Sequence, residues 1–141
     1  MVADNDVTVA LASVPLLAGL SHKDLRKVAA RGKVVDHSSG QEVTEQGGHG
    51  VGFHVILTGS ALVEVGGKPR RELGPGDYFG EITLLDGKPR TATVRVGESG
   101  LQTWSLTAWD FDELLNDEPS LARPMLRGLA GRLREAESRE T

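Results

Sequence analysis

The sequence predicts a mainly β domain, a sandwich or barrel, flanked by an N-terminal helical segment and two C-terminal helices. Glycines recur at short intervals through the middle, among them Gly32, Gly40, Gly59, Gly66, Gly67, Gly74, Gly76, Gly80, Gly87, Gly97 and Gly100. Apolar, β-rich fragments lie between them. Short strands separated by glycine turns at this spacing are the mark of an antiparallel sandwich or barrel. Helix-start signals stand on either side of this region, at Ser21 and Thr107. A chain of 141 residues is one domain's worth, long enough for a core of its own.

The first part, residues 1–31, is read as helical. Val14-Pro15-Leu16-Leu17-Ala18-Gly19-Leu20 is an apolar segment expected to form short helical turns against the barrel. Ser21-His22-Lys23-Asp24 reads as a capping box, with Ser21 capping and Asp24 reaching back. Leu25, Val28 and Ala29 follow at helical spacing and give one apolar face.

Residues 32–106 carry the strands. Val34-Val35, Phe53 to Leu57, Ala61 to Val65, Thr91 to Val96 and Leu101 to Leu106 each read as a strand or part of one. Thr58-Gly59-Ser60 reads as a turn, and Gly66-Gly67 as the turn of a hairpin. Leu73-Gly74-Pro75-Gly76-Asp77 is a turn cluster that feeds Tyr78 and Phe79 into the next segment.

Residues 107–141 return to helix. Thr107-Ala108-Trp109-Asp110 is a second capping box, and Phe111, Leu114 and Leu115 form the stripe behind it. A last helix follows Pro119, with Leu121, Met125, Leu129 and Leu133 four residues apart and Leu126 beside them. A proline inside a helix costs roughly 3 kcal/mol. Pro124 therefore implies either a kink or a regular helix that starts near Arg123, with Pro124 in its first turn.

Several classes are excluded. Without cysteine there is no disulfide framework, thiolate metal site or cysteine nucleophile. A net charge of −4 argues against a nucleic-acid-binding surface over the whole molecule. No apolar run approaches the ~20 residues of a membrane span, and the polar, acidic start from Met1 to Asp6 is not a signal peptide. A soluble, cytoplasmic protein is expected. His49 and His54 are five apart without a close His-x-His pair, His22 lies on a polar helix face and His37 in a loop, so no metal site is expected. Trp104 reads as core, Trp109 as partly exposed at a helix start. No Ser-His-Asp set, carboxylate pair or phosphate loop is visible, so the chain is not read as an enzyme.

The most informative stretch is Phe79-Gly80-Glu81-Ile82-Thr83-Leu84-Leu85-Asp86-Gly87-Lys88-Pro89-Arg90-Thr91-Ala92-Thr93-Val94. Glu81 offers a carboxylate acceptor to sugar hydroxyls, and Arg90 a planar fork of donors to phosphate oxygens. Gly80 permits close backbone approach, and the turn after it aims N–H groups at an anion. An internal Glu81–Arg90 ion pair tying a loop to the barrel is the competing reading.

This stretch resembles the phosphate-binding cassette of cyclic-nucleotide-binding domains, the family of catabolite activator protein and protein kinase regulatory subunits. Residues 15–20, 53–59 and 73–81 are also similar to it, so the resemblance covers nearly the whole chain. It implies a β-roll (a double-stranded jelly roll) with the cassette at 79–94, and cyclic AMP or cyclic GMP as ligand. It implies that Glu81 accepts from the ribose 2′-hydroxyl and Arg90 neutralises the cyclic phosphate. Phe79, Gly80, Ile82, Thr83, Thr91 and Ala92 then complete the cradle, with Val63 and Leu73 as apolar walls. Thr91 resembles a threonine that cyclic-GMP-preferring kinases use, yet bacterial cyclic-AMP receptors also carry Ser or Thr there, so the base stays open. Base contacts in the family come partly from the last helix. Here Arg123, Arg127, Arg132 and Arg134 are the candidates, read first as a solvated face. The chain stops at Thr141, without a following helix-turn-helix, which leads to the expectation of a stand-alone sensor. Its output would pass through the last helix to a protein partner or a second copy. The alternative is an interaction module of the same fold that has lost its nucleotide, for which Thr83 and the Arg70-Arg71 pair speak.

Overall fold

The computed structural model describes residues 4–44 and 52–140. Its strands are β1 (Lys33–His37), β2 (Glu42–Thr44), β3 (Gly52–Val65), β4 (Lys68–Leu73), β5 (Tyr78–Phe79) and β6 (Thr93–Thr107). All their pairings are antiparallel. β6 pairs with β1, β2 and β3, while β3 also takes β4 and β5. Helices α1 (Asp4–Ala12) and α2 (His22–Arg31) precede this β-roll, α3 (Glu81–Asp86) interrupts it, and α4 (Ala108–Asp117) and α5 (Ala122–Glu140) follow it.

Two pairs of expected strands merge. Phe53–Leu57 and Ala61–Val65 are one strand, β3, and Thr91–Val96 and Leu101–Leu106 belong to one strand, β6, that begins at Thr93. Thr58-Gly59-Ser60 is therefore a bulge rather than a turn. The β3–β6 register shifts between Gly59 and Ala61. Gly59 has φ +87°, and a Cβ there would fall 2.1 Å from the Gly100 carbonyl oxygen. Opposite it, a Cβ on Gly97 would fall 2.3 Å from Ser60 Oγ, and Gly100 has φ +81°. Close approach and positive φ call for glycine in a bulge as they do in a turn. These facing kinks bend one long ribbon. Gly66 and Gly67, at φ +60° and +77°, do reverse the chain, joining Val65 to Lys68 across a two-residue hairpin turn.

Opposite faces of β3 and β6 serve two cores, with neighbours Val55 and Ile56 pointing into different ones. Phe53, Val55, Trp104 and Leu106 join the helices in one, and Ile56, Ala61, Leu73, Phe79, Val94, Val96 and Leu101 fill the roll in the other. Trp104 anchors the first. Its Nε1 donates to the Ala29 carbonyl at 3.1 Å, and Phe53 meets it edge-on at 6.0 Å. His37 ends β1 opposite Leu101 rather than lying in a loop.

α1 lies within residues 1–31, the segment read as helical, although no cap or apolar stripe of its own marks it. Its Val7-Thr8-Val9 run is β-branched and suggests a strand, yet Val7, Leu11 and Val14 are buried at helical spacing. The apolar segment beyond it forms turns, with Val14, Leu17 and Leu20 donating three residues back to Leu11, Val14 and Leu17. Ser21 caps α2 by accepting from the Asp24 N–H at 3.2 Å. Asp24 does not reach back as the capping box implied; its carboxylate lies 3.9 Å from Lys27 Nζ. Thr107 caps α4 in the same way, accepting from the Asp110 N–H at 3.1 Å.

A 3-10 turn, Pro119–Leu121, runs into α5, so Pro124 falls in the first helical turn, where a missing N–H leaves no bond unmade. Leu121 at the end of that turn and Met125 in α5 are buried, whereas Leu126 and Leu133 are exposed. The helix starts on the body and leaves it. Among the described residues no helix is long and apolar enough to cross a membrane.

Candidate ligand-binding site

β5 delivers Phe79 into the roll, and the chain then turns sharply at Gly80, which has φ +89° and ψ 0°. A Cβ there would lie 2.5 Å from both Arg90 Nη1 and the Gly52 carbonyl oxygen. Glycine is thus needed twice, for its backbone conformation and for space. α3 starts at once with Glu81 and is closed by Gly87, whose N–H bonds the Thr83 carbonyl at 2.9 Å. Leu84 fastens this short helix to the core, while Ile82 and Leu85 face outward. The N–H groups of its first residues have no intrahelical acceptors.

Arg90 lies across Gly80. It is 6% exposed and donates from Nη2 to the Gly52 carbonyl, while Nε and Nη1 are buried without a hydrogen-bond partner among the described residues. Burial lowers the guanidinium's pKa from its ordinary value, and the Glu81 carboxylate acts in the opposite direction. An internal Glu81–Arg90 ion pair is not formed: the Glu81 carboxylate faces Arg132 Nη1, at 3.8 Å. A buried cation with unmet donors is costly. An anion supplies what Arg90 lacks.

These groups open onto one pocket of about 740 Å³. Phe79, Gly80, Glu81, Ile82, Thr83, Arg90, Thr91, Ala92, Val63 and Leu73 all line it. Val63 and Leu73 come from β3 and β4, where Val63 sits opposite Arg71 and Ala61 opposite Leu73. The pocket also takes in Thr44, Arg71, Asp77, Tyr78, Lys88 and Arg132. The Tyr78 hydroxyl accepts from Arg132 Nη1 at 2.6 Å. Arg132 corrects the reading of the last helix as a solvated face, although Arg123, Arg127 and Arg134 do not line the pocket. Nothing local in the sequence marks Arg132, because the contact depends on where α5 crosses the roll.

Behind Phe79 runs a chain of polar side chains. His54 stacks on the Phe79 ring with centroids 4.8 Å apart, and its Nδ1 lies 2.7 Å from Ser105 Oγ. Ser105 meets Thr103 at 2.9 Å, and Thr103 meets His37 Nε2 at 2.9 Å. Burial, then the like charges of His37 and Arg90, push the His54 pKa down to about 3, so the ring is neutral. Burial lowers His37 as well, against the pull of Asp36. His49, weighed above with His54, lies outside the described residues. Among the described residues no three His, Asp or Glu side chains are grouped to hold a metal.

Residues 34–118 match the family model described as cyclic nucleotide-binding domain. The chain belongs to the cyclic nucleotide-binding domain family. The domain is 35% identical over 102 residues to a cGMP-dependent protein kinase of Toxoplasma gondii, covering 72% of this chain and 10% of that protein. It is 36% identical over 87 residues to a cAMP-dependent protein kinase regulatory subunit of Emericella nidulans, covering 60% and 21%. The chain therefore spans about a fifth or less of these relatives' length. Among solved structures, the N-terminal domain of a transcriptional regulator from Streptomyces coelicolor A3(2) superposes with TM-score 0.83 at 26% identity, covering 92% of this chain and 95% of that one. The Thermus thermophilus catabolite activator protein superposes with TM-score 0.69 at 28% identity, covering 89% and 61%.

Proposed function

We propose that the domain is a non-catalytic sensor that binds cyclic AMP or cyclic GMP and passes the event on through its C-terminal helices. The observation that carries this reading is Arg90, buried with two donors unsatisfied beside the glycine that admits its guanidinium. A cyclic phosphate fits that demand by accepting from Arg90 and from the N–H groups that open α3. Glu81 lines the same pocket and serves as acceptor for the ribose 2′-hydroxyl, with Thr91 and Ala92 at the phosphate. Val63 and Leu73 give the base apolar walls. The relatives' names support the ligand class: one is a cyclic-GMP-dependent and the other a cyclic-AMP-dependent kinase protein.

Output runs through α4 and α5 to a protein partner or a second copy, in the cytoplasm. A ligand shifts such an equilibrium only by its differential affinity for the two states, about 1–3 kcal/mol in typical cases. Calorimetric titration with both nucleotides tests the reading. Saturable binding, lost in Arg90→Ala, is expected. A well-folded protein that binds neither nucleotide overturns it in favour of an interaction module without ligand.

A further inference from the structure

A second pocket, of about 220 Å³, lies at the helical end of the molecule, between α1, α2 and β1. It exists because the helices cover β1 incompletely. Val34 stands directly opposite Trp104 in the β1–β6 ladder, so both side chains lie on one face of the sheet. Trp104 is 1% exposed, whereas Val34 is 44% exposed. Small residues keep the gap open. Ala29 and Ala30 border it from α2, and a Cβ on Gly32 would fall 2.3 Å from the Trp104 ring. Gly32 has φ −97°, which any residue adopts, so glycine is needed there for space alone. Val7 of α1 closes the other side.

One charge stands at this apolar gap. Arg26 lines it from α2, about one helical turn before Ala30, and is exposed. Neighbouring cations of the same helix are engaged: Lys27 Nζ lies 3.4 Å from Glu118 and Arg31 Nη2 lies 2.7 Å from Asp117. Among the described residues Arg26 has no such partner. A free guanidinium at the rim of an apolar cleft selects a ligand with a carboxylate at one end and hydrocarbon at the other. The volume falls below the roughly 300–1,000 Å³ of drug-sized sites, which limits the hydrocarbon to about one ring or a short chain.

We infer that this pocket is a binding site for a small amphipathic carboxylate. It shares no lining residue with the cassette pocket and does not depend on the nucleotide reading. The carboxylate pairs with Arg26, and the hydrocarbon covers Val34 and Val7 where the helical layer leaves the sheet open. Removing the Val34 side chain from water drives the apolar half of the contact. The charge at Arg26 decides which apolar molecules are preferred.

Proton–nitrogen NMR titration of the whole chain tests this. Hexanoate and benzoate are the probes, acetate is the carboxylate without hydrocarbon, and hexanol is the hydrocarbon without charge. Hexanoate and benzoate are expected to shift the signals of Val7, Ala30, Val34 and the Trp104 indole N–H saturably, with Kd of about 0.1–3 mM for ligands so small. The signals of Thr83 and Ala92 in the cassette stay in place. Acetate gives no saturable shift, and hexanol binds about two- to fivefold more weakly than hexanoate, the worth of a partly exposed ion pair. Arg26→Gln brings hexanoate to the level of hexanol. Ala30→Leu fills the gap from a helix position that suits leucine, and it abolishes binding of every probe. No saturable shift with either probe at about 10 mM overturns the site. Hexanol binding the wild type as tightly as hexanoate, or Arg26→Gln keeping the preference, overturns the carboxylate class. Unchanged binding to a folded Ala30→Leu overturns the placement.

Discussion

At the helical end of the roll, Trp104 is 1% exposed and its one polar group reaches the Ala29 carbonyl at 3.1 Å; at the cassette end, Arg90 is 6% exposed and two of its donors reach nothing among the described residues. Both side chains are large and nearly hidden, and both rely on a glycine for room. A Cβ on Gly32 would strike the Trp104 ring at 2.3 Å, and one on Gly80 would strike Arg90 Nη1 at 2.5 Å. The difference lies in what each completes. Trp104 closes a contact within the chain, whereas Arg90 prepares one that the chain does not make. On the proposed function, one end serves the stability of the fold and the other its affinity, so mutations at the two ends should separate these quantities.

The largest effect is expected at the helical end. Trp104→Ala removes a fully buried indole and leaves a cavity, which costs about 3–5 kcal/mol of folding free energy. Denaturant unfolding measures it. Nucleotide affinity of the protein that remains folded should stay within about threefold of wild type, because Trp104 does not line the pocket. A large loss of affinity would mean that the two ends are coupled through Phe53 and Tyr78.

Arg90→Ala should do the reverse. It removes the assigned phosphate partner, and affinity is expected to fall about a hundredfold or more, roughly 3 kcal/mol, as when one member of a buried charged pair is lost. Stability without ligand should be unchanged or rise slightly, since a desolvated cation has been deleted. Thermal unfolding with and without nucleotide separates the two effects. Wild type gains stability with ligand by mass action, and the variant does not. A clear fall in the unliganded melting temperature would show that Arg90 is a structural brace.

The contrast between the ends also explains what the sequence disclosed. The cassette was legible because its chemistry is local: Gly80, Glu81 and Arg90 lie in one short run, and the surrounding turn residues fix its frame. The hairpin at Gly66–Gly67 was legible for the same reason. Gly59 and Gly97 were misread because a glycine reports a backbone constraint, without saying whether the chain turns back or bulges. α1 was covered only by the coarse reading of residues 1–31 as helical, because β-branched residues at its centre oppose its helical spacing, and packing against α2 overrides them. Arg132 was one of four arginines named on the last helix, and nothing in the sequence singled it out from the other three. Its contact with Glu81 requires knowing where α5 leaves the body, which depends on backbone packing at Gly19 and Gly128.

Between the two ends lies His54, and acid should show its position. Its folded pKa of about 3 lies below the ordinary histidine value of 6.5, so the unfolded chain binds more protons between these limits. Stability is therefore full above about pH 6.5 and falls as pH drops toward 3. His37, lowered in the same direction, adds to the slope. The loss assigned to His54 is on the order of 2–3 kcal/mol, allowing for relaxation around the charged ring. His54→Gln should flatten the profile of unfolding free energy against pH in this window. An unchanged slope would place the titration elsewhere.

The smallest expected effects sharpen the comparison within α5 itself. Gly128 and Gly131 are three residues apart, and intrinsic helix propensity makes no distinction between them. Replacing either by alanine should favour the helix by about 0.5–1 kcal/mol. Their surroundings differ. A Cβ at 128 would meet the Pro15 backbone, while one at 131 would meet nothing within 4 Å. Gly131→Ala is therefore expected to raise stability by about 0.5–1 kcal/mol. Gly128→Ala should lower it by about 1–2 kcal/mol, because backbone must move to admit the methyl group. Paired unfolding curves read both signs in one experiment. If both substitutions stabilise, α5 is not seated against Pro15, and the division of this helix into a docked start and an exposed outer half is wrong.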